Sequence, residues 1–581
     1  MTTRFSPITI RLDEDLSRLL ITLQNYVFPY QGSGLAIVID RDDKVVGVVT
    51  DADIRRFLSS HRRMPEKIEE VIKKDFLVVK EEDNTDPWIQ IASQLEVRGW
   101  KSYLPVRFVP VTRFGKLFGL IDLEEHQNEI SMLRDQICII GMGYVGLTLA
   151  LAIESHGRKV IGIDNNEVLI KALKQGSSHI YEPGIDNLLN VAVKRNLRLL
   201  SHVEEISRNE GFRCSFILCL PTPLDNVDDS INTKFMWEAI YKIKDCIQRG
   251  DSLVMRSTVP VGFGRRVIAY LESELGWKVG DDFHYISAPE RTVEGDAISE
   301  ISRLPQLIGA ATKECLDYGT LILKDTCPIL VPVSNIETAE LCKITSNAYR
   351  DYTFAFANHM ALVSQEHSID IDELIHASNF GYPRSTIPSP SPGVGGPCLS
   401  KDPYLLKTSF DSKSQLSPIV WARRLNQIMP TRIVEFLENK IEKLSAKEVL
   451  VIGIAFKGKP AVKDLRNSTS LEILSELRPK VKRAHVFDAI CDLSSLLDQG
   501  VSVIESDVDL NSIEIDPDVI LILNNHELNA KSVDAILSKS QKENVYIFDP
   551  WRTVNPLSRF VSTKVKQINY INMSTLKEFR L

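Results

Sequence analysis

The sequence predicts an α/β protein with two doubly wound parallel-sheet units joined by a long central helix, preceded by a smaller α+β module. Three observations carry this. Strand-like apolar runs alternate with helical patterns from Gln136 onward and again from Lys447 onward, the alternation that builds parallel sheets. Between these tracts, Ile336 to about Ser368 is a helical pattern without Pro or Gly. Ahead of both, residues 1 to about 130 hold a weak internal repeat of strand, turn, strand and helix. The divisions read 1–130, 135–333, 334–443 and 444–581.

A length of 581 residues exceeds one core and implies roughly three to five domains. The 44% hydrophobic and 25% charged composition is that of an ordinary soluble protein, and a net charge of −8 argues against a dedicated nucleic-acid binder. Residues 1–7 lack an apolar signal-peptide run and no stretch has the length of a membrane span, so a cytoplasmic protein is expected. The nine cysteines show neither CxxC pairs nor His/Cys ligand spacing, so no metal site and no disulfide framework is expected.

In the leading module, Gly34–Asp40 reads as a strand, Arg41–Lys44 as a polar turn and Val45–Val49 as the returning strand. Thr50–Arg56 then opens a helix with acidic residues in its first turn. Tyr103–Val111, a turn at Arg113–Lys116, and Leu117–Glu125 repeat the plan. This resembles a tandem CBS-domain pair. The resemblance implies an adenine-nucleotide site at Gly47, Thr50 and Asp53; the second copy reads Gly119, Asp122 and Glu125, with Asp in place of Thr. A purely structural pairing module is the alternative.

The first large unit opens with Ile137–Ile140 as a buried strand, followed by Gly141-Met-Gly-Tyr-Val-Gly146 and a helix over Leu147–His156. The next strand, Lys159–Ile163, ends on Asp164. Strand, GxGxxG, helix and an acid after the second strand form a Rossmann-type dinucleotide fingerprint. Gly141 permits the tight turn, Gly143 lets the pyrophosphate approach, Gly146 allows helix–strand packing, Tyr144 and Val145 between them count among the cofactor-binding residues, and the helix N-terminus that follows faces the phosphates. Asp164 would accept from ribose hydroxyls and repel a 2′-phosphate, which selects NAD as cofactor.

Further strands at Phe216–Leu220, Ser252–Met255 and Tyr285–Ser287 each run into a polar or punctuated loop: Pro221-Thr-Pro223, Arg256–Gly262 and Ala288–Gly295. Ligands of doubly wound sheets sit at such strand ends, which places Glu290 and Glu294 near the nicotinamide. On the long helix, Lys343 and Asn347 stand at i and i+4 on one face, where together they can bind a reacting oxygen.

Beyond that helix, Cys398 lies beside three glycines and three prolines of Pro390–Pro397, with Lys401 and Asp402 just after it. A thiol on a shaped glycine loop among charges suits a nucleophile better than an apolar core. A helix over about Pro418–Lys443 leads to the second sheet unit, which begins with Lys447–Lys457 and continues with strands around Ala484–Asp488, Val519–Leu523 and Val545–Phe548. Lys457, Lys463, Arg466 and Arg552 are cations on its loops, available to a second phosphorylated ligand or else plain surface charge.

Six motifs then stand in order: GxGxVG, Ser-Thr-Val-Pro-Val-Gly, Ala-Pro-Glu-Arg, Glu-Leu-x-Lys-x-x-x-Asn, Pro-Gly-Val-Gly-Gly-x-Cys and Ala-Phe-Lys-(x)6-Asp-x-Arg-x-Ser. Over 135–581 the chain resembles the UDP-glucose/GDP-mannose dehydrogenase family. That resemblance implies oxidation of a nucleotide sugar's C6 hydroxyl to a carboxylate with two NAD⁺ per turnover. It implies Cys398 as the nucleophile, passing through a thiohemiacetal and a thioester, Lys343 and Asn347 at the oxyanion, and Asp402 as the group that positions or activates water. Glu290 matches the general acid/base of thioester hydrolysis and Glu294 a residue beside the cofactor. Thr222 and Thr258 would touch NAD, Arg466 would reach it from the last domain, and Lys457 and Gly395 would line the nucleotide-sugar site. Arg384 resembles an arginine that reaches a neighbouring subunit's substrate, which implies a homodimer or higher assembly.

Ala-Pro-Glu-Arg and the Pro-Gly-Val-Gly-Gly loop resemble the UDP-N-acetylhexosamine branch. UDP-N-acetyl-D-mannosamine is the expected substrate, with UDP-N-acetylglucosamine and UDP-glucose as alternatives, and polysaccharide biosynthesis the process implied. A non-catalytic nucleotide-sensing regulator would be expected to lack Cys398, Lys343 or Asp402, and all three are present. A dehydrogenase stopping at the aldehyde would not need the thiol.

Overall fold

The computed structural model describes residues 8–24, 34–83, 90, 94, 108–122 and 135–580, except 157, 208–212, 226–230, 325, 328, 409–416, 500, 505–514 and 558–560. Two compact units emerge, 1–133 and 134–581.

In the first unit, Thr9–Arg11 pairs parallel with Leu35–Ile39, which pairs antiparallel with Val45–Thr50. Val79–Lys80, Phe108–Arg113 and Lys116–Asp122 repeat that topology, parallel then antiparallel. The sequence repeat is therefore a structural one. The halves share apolar packing, with Phe108, Leu117 and Leu120 against Ile37 and Val48, and Val45 N–H donates to the Gly115 carbonyl at 2.9 Å. Thr50 and Asp53 form a capping box at helix Asp51–His61. Asp53 also pairs with Lys73 at 2.8 Å and Arg56 at 3.1 Å. Burial would raise its carboxyl, but Lys73 and Thr50 outweigh that and hold it below the usual range. Glu125 and the start of the expected strand at Tyr103 lie outside the described residues.

The second unit contains two large sheets. The eight-stranded one runs, edge to edge, Leu330–Pro332, Gln306–Ala310, His284–Ser287, Ser252–Met255, Arg213–Leu218, Asp135–Ile140, Val160–Ile163 and Leu197–Leu200. All neighbours are parallel except His284–Ser287 with Gln306–Ala310. The order reverses between Asp135–Ile140 and Arg213–Leu218, which opens a crevice at their carboxyl ends. The seven-stranded sheet reverses likewise between Glu448–Ile452 and Val519–Ile522.

The helix Ile336–His367 joins the sheets. Asn335 caps it by accepting from Thr338 N–H, and Ser368 ends it in the left-handed conformation. It packs against helix Pro418–Lys440, which is capped by Ser417 and begins on a proline, where no N–H is lost. Among the described residues no helix is long and apolar enough to cross a membrane.

Candidate active site

The helix after the first strand starts at Tyr144, three residues earlier than the sequence suggests, with Gly143 as its N-cap. Gly141 has φ +92°, and a Cβ there would stand 2.6 Å from the Cys219 carbonyl across the crevice. A Cβ on Gly146 would collide with the Gly141 carbonyl, whereas Gly143 faces open space. The motif thus combines tight packing behind with an empty cradle in front, as a pyrophosphate requires. Asp164 accepts from Met142 N–H at 2.8 Å and Asn166 N–H at 3.0 Å, and stays partly exposed for a ribose. These residues fit NAD.

Cys398 begins a helical turn: its carbonyl accepts from Lys401 N–H at 3.1 Å and Asp402 N–H at 2.9 Å, leading into helix Asp402–Thr408. The thiol is open to solvent yet enclosed by enough protein that burial pushes it up. Asp402 adds to that effect while Lys343 and Lys401 oppose it. Gly395 lets the loop lie directly on the Asn467 carbonyl, which any Cβ would strike.

The long helix supplies the rest. Asn347 Nδ2 donates to Asp402 Oδ2 at 2.6 Å, and Lys401 Nζ donates to Asp402 Oδ1 at 2.8 Å and Thr222 Oγ1 at 3.2 Å. Thr222 Oγ1 in turn donates to the Thr258 carbonyl at 2.9 Å. A continuous polar chain therefore runs from the dinucleotide loops to the turn carrying Cys398. Lys343, 8% exposed, interacts electrostatically with both Cys398 and Glu290.

The two carboxylates of the Ala288–Gly295 loop differ. Glu290 Oε2 accepts from Arg256 and Oε1 from the backbone N–H groups of Arg291 and Thr292 at 2.6 and 2.7 Å. Burial alone would raise its pKa; Arg256, those N–H groups and Lys343 outweigh it and hold the carboxyl below its ordinary value. Glu294 is pushed up to about 7, first by burial and then by Asp464, against Arg466 and Lys457. Lys457 Nζ donates to the Glu294 carbonyl at 2.6 Å, and Arg466 bonds Asp464 and stands 3.4 Å from Glu294.

Other sequence candidates lie elsewhere. Arg384 is exposed over the Tyr382 ring. Arg552 bonds Ser389 and pairs with Asp372, and Lys463 stands over the Tyr181 ring, so neither shares Lys457's contacts. Several supporting groups escaped the sequence reading. Arg256 ties Glu290 to Gln306 and to the Ala288 carbonyl. Glu182 accepts from Gly295 and Ala297 N–H. Glu340 accepts from Gly262 N–H at 2.7 Å and Gly264 N–H at 2.9 Å, fixing the loop that carries Thr258. Of these, only Glu340 had a local signal, as the first residue of Glu-Leu-x-Lys.

Comparison with known proteins matches residues 135–326 to the UDP-glucose/GDP-mannose dehydrogenase family, NAD binding domain, and 337–427 to that family's central domain. A UDP-N-acetyl-D-mannosamine dehydrogenase from Pyrococcus horikoshii is 31% identical over 61% of this chain and 83% of its own length. The chain belongs to the UDP-glucose/GDP-mannose dehydrogenase family. It is thus an NAD-dependent oxidoreductase of nucleotide sugars. The NDP-N-acetyl-D-galactosaminuronic acid dehydrogenase of Ralstonia nicotianae is 28% identical over 69% of this chain and 94% of its own. The solved P. horikoshii UDP-D-ManNAc dehydrogenase covers 76% of this chain and 99% of its own at TM-score 0.62 and 27% identity. Unlike the dehydrogenase portion, residues 1–60 match a CBS domain, corresponding to the first structural repeat.

Proposed function

We propose that this dehydrogenase oxidises the C6 hydroxyl of UDP-N-acetyl-D-mannosamine to the uronate in two steps at Cys398. The observation that carries the reading is the shared polar chain: an exposed thiol on a turn whose Asp402 is bonded to Asn347 and, through Lys401, to Thr222. Bound NAD⁺ supplies the hydride acceptor for each step. Lys343 and Asn347 hold the sugar O6 and stabilise negative charge as it develops there. Loss of the first hydride and the O6 proton gives the C6 aldehyde; the Cys398 sulfur then adds to its carbon while the thiol proton passes to its oxygen, giving a thiohemiacetal. Loss of the second hydride and the hydroxyl proton leaves a thioester. Water oriented by Asp402 and Glu290 then adds to the carbonyl, the C–S bond breaks, and the carboxylate leaves as the thiol is restored. With both oxygens accepting hydrogen bonds and its pKa lowered, Glu290 suits orienting water as a base more than donating a proton.

Lys457 and Gly395 would line the UDP-sugar, Arg466 and Glu294 would meet the cofactor from the junction of the two sheets, and Arg384 would serve a partner subunit's site in a homodimer. The sugar assignment is supported by several relatives named UDP-N-acetyl-D-mannosamine dehydrogenase and by the Pro-Gly-Val-Gly-Gly loop. Its test is kcat/KM on UDP-N-acetyl-D-mannosamine, UDP-N-acetylglucosamine, UDP-N-acetylgalactosamine and UDP-glucose in parallel. A preference for any of the last three overturns the sugar without overturning the reaction. The leading module would take an adenine nucleotide at Thr50 and Asp53, with the ligand competing against the Asp53–Lys73 pair. Calorimetry that detects no AMP or ATP binding, with kinetics unchanged by either, would remove that part.

A further inference from the structure

The loop bearing Cys398 is clamped from behind by a buried polar cluster outside the expected catalytic set. Arg423, 2% exposed, pairs with fully buried Asp351 at 2.8 Å. Its Nη1 also donates to the Leu399 carbonyl at 3.1 Å and its Nη2 to the Val394 carbonyl at 2.8 Å. One planar guanidinium therefore grips the chain on both sides of Cys398. Asn426 donates to Asp351 at 2.8 Å and accepts from Asn358 at 2.9 Å, and Asn358 accepts from Ser391 N–H at 2.8 Å. Asp351 and Asn358 continue the helical face that carries Lys343 and Asn347, so one helix holds both the oxyanion groups and the anchor of the nucleophile loop.

As a stabilising device the pair is poor. Arg423 Nε and Asp351 Oδ2 are buried without partners, and burial lowers the Arg423 pKa and raises that of Asp351. Apolar replacements of a buried ion pair commonly match it in stability. Fixing two carbonyls at once is something only the forked guanidinium can do, since a lysine ammonium lacks the planar span.

We infer that Arg423, oriented by Asp351, is a positioning residue that sets the Cys398 sulfur against the Lys343–Asn347 face through the Val394 and Leu399 carbonyls. This rests on Cys398 being the nucleophile. In Arg423→Lys the loop loosens, so turnover of UDP-N-acetyl-D-mannosamine falls about 100-fold, as displacements of about 1 Å do, while NAD affinity and circular dichroism match the parent. The pH profile of Cys398 alkylation by iodoacetamide, read by mass spectrometry, moves towards that of an ordinary thiol, because a loosened loop relieves the burial that holds the parent thiol up. A second variant, Asp351→Asn/Arg423→Met, removes both charges and both carbonyl contacts together; it folds and shows the same two changes.

Parent-like turnover and alkylation in either folded variant overturns the inference. Failure of both to fold also overturns it, since the pair would then serve the fold, and so does a parallel loss of NAD affinity. Undiminished turnover in Cys398→Ala would instead overturn the nucleophile reading on which the inference rests.

Discussion

The two large sheets share a strand order and treat the crevice at their switch points differently. In the eight-stranded sheet, Gly141 turns the chain with φ +92° and a helix starts at once at Tyr144. In the seven-stranded sheet, Gly453 makes the same turn with φ +86°, but the next helix waits until Thr469. The first crevice thus offers backbone N–H groups and a helix N-terminus, the second the side chains of Lys457 and Arg466. The acids at the neighbouring strand ends diverge too. Asp164 is partly exposed. Asp488 is 3% exposed and accepts from the N–H groups of Ile454, Ala455, Ile490 and Cys491, which leaves little of it for a ribose. One topology therefore yields a glycine-cradled crevice where the helix follows the glycine immediately, and a cation-lined crevice where a loop intervenes.

Glycine substitutions separate the crevices most strongly. Gly146→Val forces a side chain into the Gly141 carbonyl. It should cost about 3 kcal/mol or more and abolish NAD binding by calorimetry. Gly453→Ala meets Asn524 Oδ1 at 2.5 Å; it should lower the melting temperature while the folded fraction binds NAD with parent affinity. Equal damage to NAD binding from both would erase the contrast.

At the junction between the sheets the expected effect is on pH dependence. Glu294 is raised from its ordinary 4.5 to about 7. The unfolded chain therefore releases this proton first as pH rises. The group's contribution to stability is complete below 4.5 and is lost as pH climbs to about 7, on the order of 3 kcal/mol. Denaturation at pH 5 and pH 8 should show a smaller difference in Glu294→Gln than in the parent, and an unchanged difference refutes the assignment.

Lys457→Ala, which removes a charge-assisted contact worth about 2 kcal/mol, should lower kcat/KM for the UDP-sugar about 30-fold with NAD affinity untouched. The smallest effect falls on selectivity. Asp164→Ala should weaken NAD about tenfold and narrow the gap to NADP, whereas Asp488→Ala should lower stability with no change in cofactor choice.

How much of this was legible in the sequence follows from how local each signal is. The GxGxxG turn, the Lys343–Asn347 spacing and the glycine loop of Cys398 are set by neighbours in the chain, and in the structure the last two meet through the Asn347–Asp402 bond, with Lys401 reaching Thr222. Arg256, Glu182, Arg423 and Asp351 were missed because their partners are distant: Arg423 and Asp351 lie 72 residues apart, and a lone charge in a helical pattern reads as solvated surface until the fold buries it. Thr50 and Asp53 show the converse. Thr-x-x-Asp before a helix suits both a ligand signature and a capping box, and in the structure its side chains bond each other at 2.6 Å.

Four-electron oxidation through Cys398 is tested most sharply by the NADH formed per UDP-N-acetyl-D-mannosamine consumed, in the parent and in Cys398→Ala. The parent should yield two NADH and a uronate, and the variant no uronate. One NADH per sugar in the parent, or two in the variant, would contradict it.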